Sequence, residues 1–380
     1  MTMTKINIPI LDLKAQYQSI ATEVEAAVIQ VLRSTHYVLG PNLKAFEEES
    51  AKFLNSKYAI GCANGSDALY LALLALDVKP GDEVITTPFT YVATAEAITQ
   101  IGARPVFADI DLETYNICPN ALESKITNKT KAIIVVHLYG QACKMNEIMA
   151  IAQKHNLKVV EDTAQAFGTK YQDKYAGTIG DIGTYSFYPT KNFSCAGDGG
   201  MLTTNNDYLA ERLTRIRAHG SSKRYYHDEL GVNSRLDEIQ AVILRVKLRH
   251  INAWNHRRAI IANRYTQTLN QSNHKDFVLH PPKVIGQSNH IYHQYTMRIE
   301  SEKPSETRDM IKAKLAEQGI NTEIYYPLAL HMQKLYLDMG HKPEDFPSAY
   351  TAAQSVLCLP VYPELKSEHV DYICEALTKL

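Results

Sequence analysis

The sequence predicts an α/β protein: a large domain on a mostly parallel sheet, then a smaller C-terminal α+β domain. Two observations carry this reading. Short apolar runs alternate with helical patterns over the first two-thirds of the chain, and the runs at 131–137 (KAIIVVH) and 157–161 (LKVVE) have apolar centres with no polar alternation. Strands covered by helices on both faces have that composition. After about residue 200 the alternation gives way to longer helical stretches. The boundary is placed at residue 250, giving a domain of 1–250 with an N-terminal arm and a domain of 251–380.

Taken in order, residues 57–62 (KYAIGC) read as a strand and 67–76 as a helix. Residues 83–87 (EVITT) form a strand, 93–100 a helix and 105–110 (PVFADI) a strand. The two apolar strands at 131–137 and 157–161 flank a helix at 146–155, and the second ends against Asp162. A strand at 200–204 (GMLTT) precedes helices at 207–217 and 236–249, the latter running on to 263. Residues 271–287 are polar, contain Pro281 and Pro282, and read as a connection. A strand at 290–299, a helix at 306–318, a strand at 321–325 and a helix at 368–380 complete the small domain.

Composition excludes several classes of function. With 380 residues, 45% hydrophobic and 21% charged, the chain is globular and needs no disulfides or metal to build a core. Forty Lys and Arg against 41 Asp and Glu leave a formal charge of -1. That is not the field of a protein for nucleic acid or an anionic membrane. The six cysteines are scattered, with no CxxC and no zinc-like spacing, so reduced thiols and no metal site are expected. The start MTMTKINIPILDLKAQ lacks the apolar core of a signal peptide, and no run of about 18 apolar residues occurs. A cytoplasmic protein is the expectation.

Four segments place polar groups beyond strand ends, where open α/β sheets bind ligands. Ala63-Asn64-Gly65-Ser66-Asp67-Ala68-Leu69 joins a strand to a helix. The amides of Ser66, Asp67 and Ala68 would offer a site for a phosphate; the competing reading is that Ser66 or Asp67 only caps the helix. Asp162, ending an apolar strand, is costly unless paired, and suits a cationic ligand atom as well as a local cap. Gln165 follows one turn on. Lys191, in Tyr185-Ser186-Phe187-Tyr188-Pro189-Thr190-Lys191-Asn192, lies among aromatic and small residues. A desolvated lysine there is a nucleophile for carbonyls, whereas an ordinary one is a surface charge. Gly197, Gly199 and Gly200 suggest close backbone approach or an ordinary turn.

Together, a phosphate site, an Asp for a ring nitrogen and a Lys for a carbonyl are the protein groups that pyridoxal phosphate requires. Tyr91, in Pro88-Phe89-Thr90-Tyr91-Val92-Ala93-Thr94, follows another strand and would stack on the cofactor ring or pack in the core.

In these segments, with Gly40-Pro41 and Gly231-Val232-Asn233-Ser234-Arg235-Leu236, the chain resembles the DegT/StrS family of nucleotide-sugar aminotransferases, on the aspartate-aminotransferase fold (fold type I). The resemblance covers nearly the whole chain. It implies that Lys191 is the Schiff-base lysine and proton shuttle, that Asp162 partners the pyridine nitrogen, and that Gln165 contacts the ring hydroxyl. It places Gly65, Ser66, Asp67 and Ser186 around the phosphate, with Asn233 reaching the phosphate in a neighbouring subunit's site. The unit implied is a homodimer with interfacial sites.

Tyr188, Lys223, Arg224, Tyr225, Arg235 and His331 fall at positions the resemblance assigns to the substrate side. A solvated charge cluster is the competing account of Lys223 and Arg224. Asp198 and Ser66 stand where many members have Glu and Thr, and both keep the chemistry. Sugar dehydratases on this fold carry His in place of the lysine, so Lys191 implies amino transfer. The implied reaction moves an amino group from L-glutamate, leaving 2-oxoglutarate, to a nucleotide-linked keto-sugar. A dTDP-linked 3-keto-6-deoxyhexose is the substrate most resembled. A UDP-linked 3-keto-uronic acid and a 4-keto-6-deoxyhexose are alternatives, and a sugar dehydratase or non-catalytic regulator would be a different class.

Overall fold

The computed structural model of the chain describes residues 6–380. Its main sheet has seven strands: β1 (Tyr58–Cys62), β2 (Glu83–Thr86), β3 (Arg104–Phe107), β4 (Thr130–Val136), β5 (Lys158–Asp162), β8 (Ile182–Ser186) and β9 (Gly200–Thr204). A small hairpin, β6 (Lys170–Tyr171) and β7 (Lys174–Tyr175), interrupts the series. The order is β1-β9-β8-β5-β4-β2-β3. The four pairs from β8 to β3 are parallel, and only β9 runs against its neighbours.

The apolar strands read from the sequence are buried because both faces are covered. Ile134 and Val160 pack with Leu71, Ile98 and Leu213 of α3 (Gly65–Ala75), α4 (Ala93–Gln100) and α7 (Asp207–Ile216). Their neighbours Ile133, Val135 and Val159 point the other way, onto Met145 and Ile148 of α6 (Met145–Lys154), beyond the short α5 (Pro119–Glu123). Each such side chain contributes about 1.5–3 kcal/mol when fully buried.

A second sheet, β12 (Val278–His280), β13 (Tyr295–Glu300) and β14 (Val356–Leu359), is antiparallel. It is covered by α10 (Pro304–Glu317), α11 (Pro347–Ser355), α12 (Ser367–Thr378) and the second half of α9 (Ile251–Gln271), where Ile261, Tyr265 and Leu269 join its core. Ile251, ten residues earlier, packs instead with Phe187 and Phe193 of the large sheet's side. Ile8 inserts into the C-terminal core and bridges to Ile320.

Several local expectations change. The arm before residue 57 holds two helices, α1 (Leu13–Ser34) and α2 (Pro41–Leu54). Asp12 caps α1 by accepting from Ala15 N at 2.9 Å. Val31 anchors it on Val242 and Ile243 of α8 (Glu238–Leu248). Leu13, Ile29 and Leu32 are exposed, which blurred its apolar stripe. The helix running on to 263 is broken at Arg249–His250 into α8 and α9. Residues 321–325 do not form a strand: Glu323 makes a single bridge to Cys358. Residues 271–287 contain β12 as well as loop. All six cysteines are free. No helix among the described residues is long and apolar enough to cross a membrane.

Candidate active site

The polar groups found at strand ends converge because parallel strands present their carboxyl ends on one edge. β1 leads to Asn64-Gly65-Ser66, β5 ends at Asp162, and β8 ends at Ser186 just before Lys191. A cavity of about 620 Å³ opens there, lined by Asn64, Gly65, Ser66, Tyr91, Asp162, Gln165, Ser186, Tyr188 and Lys191 among others.

At the start of α3 the competition between cap and anion site resolves in an unexpected way. The helix begins at Gly65, and its N-cap is Asn64, neither Ser66 nor Asp67. The Asn64 side chain accepts from Asp67 N at 2.8 Å, and its carbonyl accepts from Ala68 N at 3.1 Å. Two of the three amides expected to hold an anion are therefore engaged. Those left at the helix mouth are Gly65 and Ser66, and Asp67 is not part of the cavity wall. Ser186 closes the mouth from β8. A Cβ on Gly65 would lie 2.5 Å from Ser186 Cβ and 2.9 Å from its Oγ, so only glycine permits this approach.

Asp162 is buried at the cavity floor. Thr94 Oγ1 donates to its Oδ2 at 2.8 Å, and Ala164 N to its Oδ1 at 3.2 Å. Burial raises its pKa, and the hydrogen bonds and the Lys191 charge only partly offset that. A carboxylate so placed gains most from a further cationic partner. Lys191 follows β8 through a turn closed by its own amide, donating to Tyr188 O at 2.9 Å. Burial pulls its pKa from 10.5 to about 8, and Asp162 opposes this. Gln165 is held at both ends: Tyr139 N donates to its Oε1 at 2.7 Å, and its Nε2 donates to the Tyr326 hydroxyl at 3.0 Å. Tyr91 is exposed at the cavity mouth, its ring 6.4 Å from that of Tyr326. Its ring is presented to the cavity and is not used up in the core. Two free helical amides with two serine hydroxyls, a buried carboxylate and a largely desolvated amine fit the phosphate, ring nitrogen and aldehyde of pyridoxal phosphate.

The remaining predicted residues are not in this cavity. Lys223, Arg224 and Tyr225 lie on the hairpin β10 (Ser221–Lys223) and β11 (Tyr226–His227), with Tyr225 79% exposed. Arg224 stacks over Tyr225 at 4.9 Å. Asn233 is exposed, with only its backbone bridged to Ala218, and Arg235 is half-buried away from the cavity. His331 is fully buried against Phe346, ring centroids 4.8 Å apart, with burial lowering its pKa to about 4. The chain does not bring it to the cavity wall.

Sequence reasoning missed Thr94, Tyr326, Arg258, His293 and Gln294, all in the wall. Asn64 before a glycine was a legible cap signal. Tyr326 lies five residues before His331, and nothing local marked Arg258.

The DegT/DnrJ/EryC1/StrS aminotransferase family matches residues 18–378 of the chain. The pleiotropic regulatory protein of Geobacillus stearothermophilus is 48% identical, covering 98% of each chain. The dTDP-3-amino-3,6-dideoxy-alpha-D-galactopyranose transaminase of Aneurinibacillus thermoaerophilus is 43% identical, covering 98% of this chain and 99% of its own. The UDP-2-acetamido-2-deoxy-3-oxo-D-glucuronate aminotransferase of Pseudomonas aeruginosa is 41% identical over the same shares. Among solved structures, S. venezuelae DesV, in complex with a ketimine intermediate, superposes with a TM-score of 0.94 at 37% identity, covering 98% of each chain. Bacillus subtilis NtdA with bound PMP does so with a TM-score of 0.90 at 31% identity, covering 100% of this chain and 86% of its own.

Proposed function

Because the chain belongs to the DegT/DnrJ/EryC1/StrS aminotransferase family, and is thus a pyridoxal-phosphate-dependent, fold type I aminotransferase of nucleotide sugars, we propose that it aminates a dTDP-linked 3-keto-6-deoxyhexose. L-Glutamate is the donor in this reading and 2-oxoglutarate the by-product. The observation that carries it is the half-buried Lys191 beside Asp162 in one cavity, its pKa lowered by desolvation, in a chain 43% identical to a dTDP-amino-sugar transaminase.

Gly65 and Ser66 amides, with the hydroxyls of Ser66 and Ser186, would hold the cofactor phosphate. Asp162 would face its ring nitrogen, Tyr91 its ring and Lys191 its aldehyde carbon. When bound, the cofactor supplies an electron sink for charge developing at the amino-bearing carbon. The chain supplies the rest. Ionised Asp162 stabilises a cation beside it, and Thr94 and Ala164 keep its carboxylate oriented. Gln165 is held in the cavity wall between Tyr139 and Tyr326. Lys191 Nζ is the base that removes the donor's α-proton. In the return half it delivers a proton to the former keto carbon of the sugar.

The exposed hairpin and Asn233 support a homodimer in which each chain completes its neighbour's site. A UDP-linked 3-keto-uronic acid is the second reading, favoured by the 41% identity to the glucuronate aminotransferase. The test is an absorbance spectrum of the purified protein. A yellow protein should bleach with L-glutamate and regain colour with the dTDP-keto-sugar. Recovery only with the UDP-keto-uronic acid would move the assignment to that sugar. No cofactor band after reconstitution would refute the reading and favour a regulator.

A further inference from the structure

α9 carries a cation that the proposed chemistry leaves unused. Arg258 lies in the cavity wall and is 2% exposed. Its Nη1 donates to Val361 O at 2.5 Å and, more weakly, to Tyr292 O at 3.5 Å. Its Nε has no partner among the described residues. Burial lowers its pKa to about 10, and the nearby Glu364 charge opposes this, so the group stays cationic at neutral pH. Two further unmatched atoms, His293 Nδ1 and Gln294 Oε1, share this wall. Burial, Lys191 and Arg258 hold His293 well below the usual histidine pKa, so it is neutral and does not crowd the site with charge.

A buried guanidinium held by carbonyl oxygens alone is poorly compensated. Its planar fork matches a carboxylate, which it can grip through two parallel N–H bonds. The phosphate of the cofactor is already provided for at the mouth of α3. Clamping α9 to the segment at Val361 explains Nη1 but leaves Nε without a purpose.

We infer that Arg258 anchors a carboxylate entering this cavity, with Gln294 Oε1 accepting an N–H or O–H of the same ligand. The inference rests on the reading that an amino donor and a nucleotide sugar share this cavity. The carboxylate can come from the dicarboxylic amino donor or from a uronic-acid sugar, and the chemistry of recognition is the same.

The test measures binding to the holoenzyme by calorimetry, for wild type, Arg258→Gln and Arg258→Lys. The probes are glutarate, a dicarboxylate with no amino group to react, a UDP-linked uronic acid and the matching neutral UDP-hexose. Loss of the charged fork should weaken the carboxylate probe by roughly ten-fold or more in Arg258→Gln and less in Arg258→Lys, with the neutral sugar unchanged. Loss confined to glutarate identifies the donor as the source, and loss confined to the uronic acid identifies the sugar. Unchanged affinity for both acids overturns the inference. Equal weakening of the neutral sugar does so too, because it marks a packing role. Should Arg258→Gln fail to fold, Arg258→Lys decides by the same comparison. Glutarate binding does not depend on which keto-sugar restores the colour, so failure of the dTDP assignment is seen separately.

Discussion

Lys191 should titrate near neutrality, and Asp162 should set where. Burial brings its pKa to about 8 from the ordinary 10.5, with Asp162 pulling the other way. At about pH 7.5 a lysine with a pKa of about 8 is roughly one-quarter free amine, against roughly one part in a thousand for an exposed one. The gain in nucleophile is about two-hundred-fold. The perturbation is Asp162→Asn. It removes the anion that favours the ammonium form, so the lysine's midpoint moves to lower pH. The assay follows capture of pyridoxal phosphate by cofactor-free protein in a stopped-flow absorbance experiment across pH. The wild-type rate should rise with pH and level off a little above about pH 8. The variant should level off earlier, whatever its final affinity. A wild-type rate still climbing near about pH 10, or a variant midpoint displaced upward, would refute the account of a desolvated lysine held in check by one carboxylate.

Other consequences follow from the same contacts. Lys191→Ala should lose turnover by at least about a thousand-fold and lose the borohydride-trapped adduct, while its melting temperature stays close to wild type; an adduct that persists would move the lysine assignment elsewhere. Gly65→Ala forces a methyl against Ser186 and should weaken cofactor retention or cost about 1–3 kcal/mol of stability, read by dialysis and denaturant melts. Glu161, buried behind Asp162, accepts from Gly177, Ile179 and Gly180 amides at 2.6–2.8 Å and contacts His137 Nε2 at 2.9 Å. Burial pushes its pKa up, but His137 and the amides outweigh that and hold it low. Its stabilisation is therefore present above the unfolded pKa of about 4.3 and lost as pH falls through the folded value. Glu161→Gln should cost about 3 kcal/mol at neutral pH and flatten the acid limb of the stability curve. Finally, Lys191→Ala and Asn233→Ala chains, each inactive alone, should recover roughly a quarter of wild-type activity when refolded together, if each site draws on two chains.

What was legible in the sequence, and what was not, divides by how local the cause is. Asp162 and Lys191 stand at strand ends inside apolar surroundings, so their cost of burial shows within a few residues of chain. The two faces of β4 and β5 were legible for the same reason: near-continuous apolar composition leaves no solvent face. The caps and breaks were less so. α3 starts two residues before its predicted start because Asn64, and not Ser66 or Asp67 where the cap was sought, turns its side chain onto Asp67 N. α1 was hidden because much of its apolar surface faces outward in a single chain.

The wall opposite the cofactor residues was not legible at all, and the reason is topological. Arg258 sits on a helix whose neighbours Arg257 and Arg264 are ordinary charges partnered at its surface. Nothing in that stretch distinguishes one arginine from the others. What singles Arg258 out is where α9 passes: from the large domain's aromatic cluster at Ile251 to the second core at Ile261. Arg258 lies between them, at the seam where the carbonyls of Tyr292 and Val361 also arrive. The cofactor-binding half of the cavity is thus built from strand ends of the main sheet, each followed within a few residues by its functional group, and announces itself in short motifs. The half that would discriminate among substrates is assembled from distant segments. Resemblance to transaminases of differently charged sugars therefore says less about this wall than one buried, half-satisfied guanidinium does.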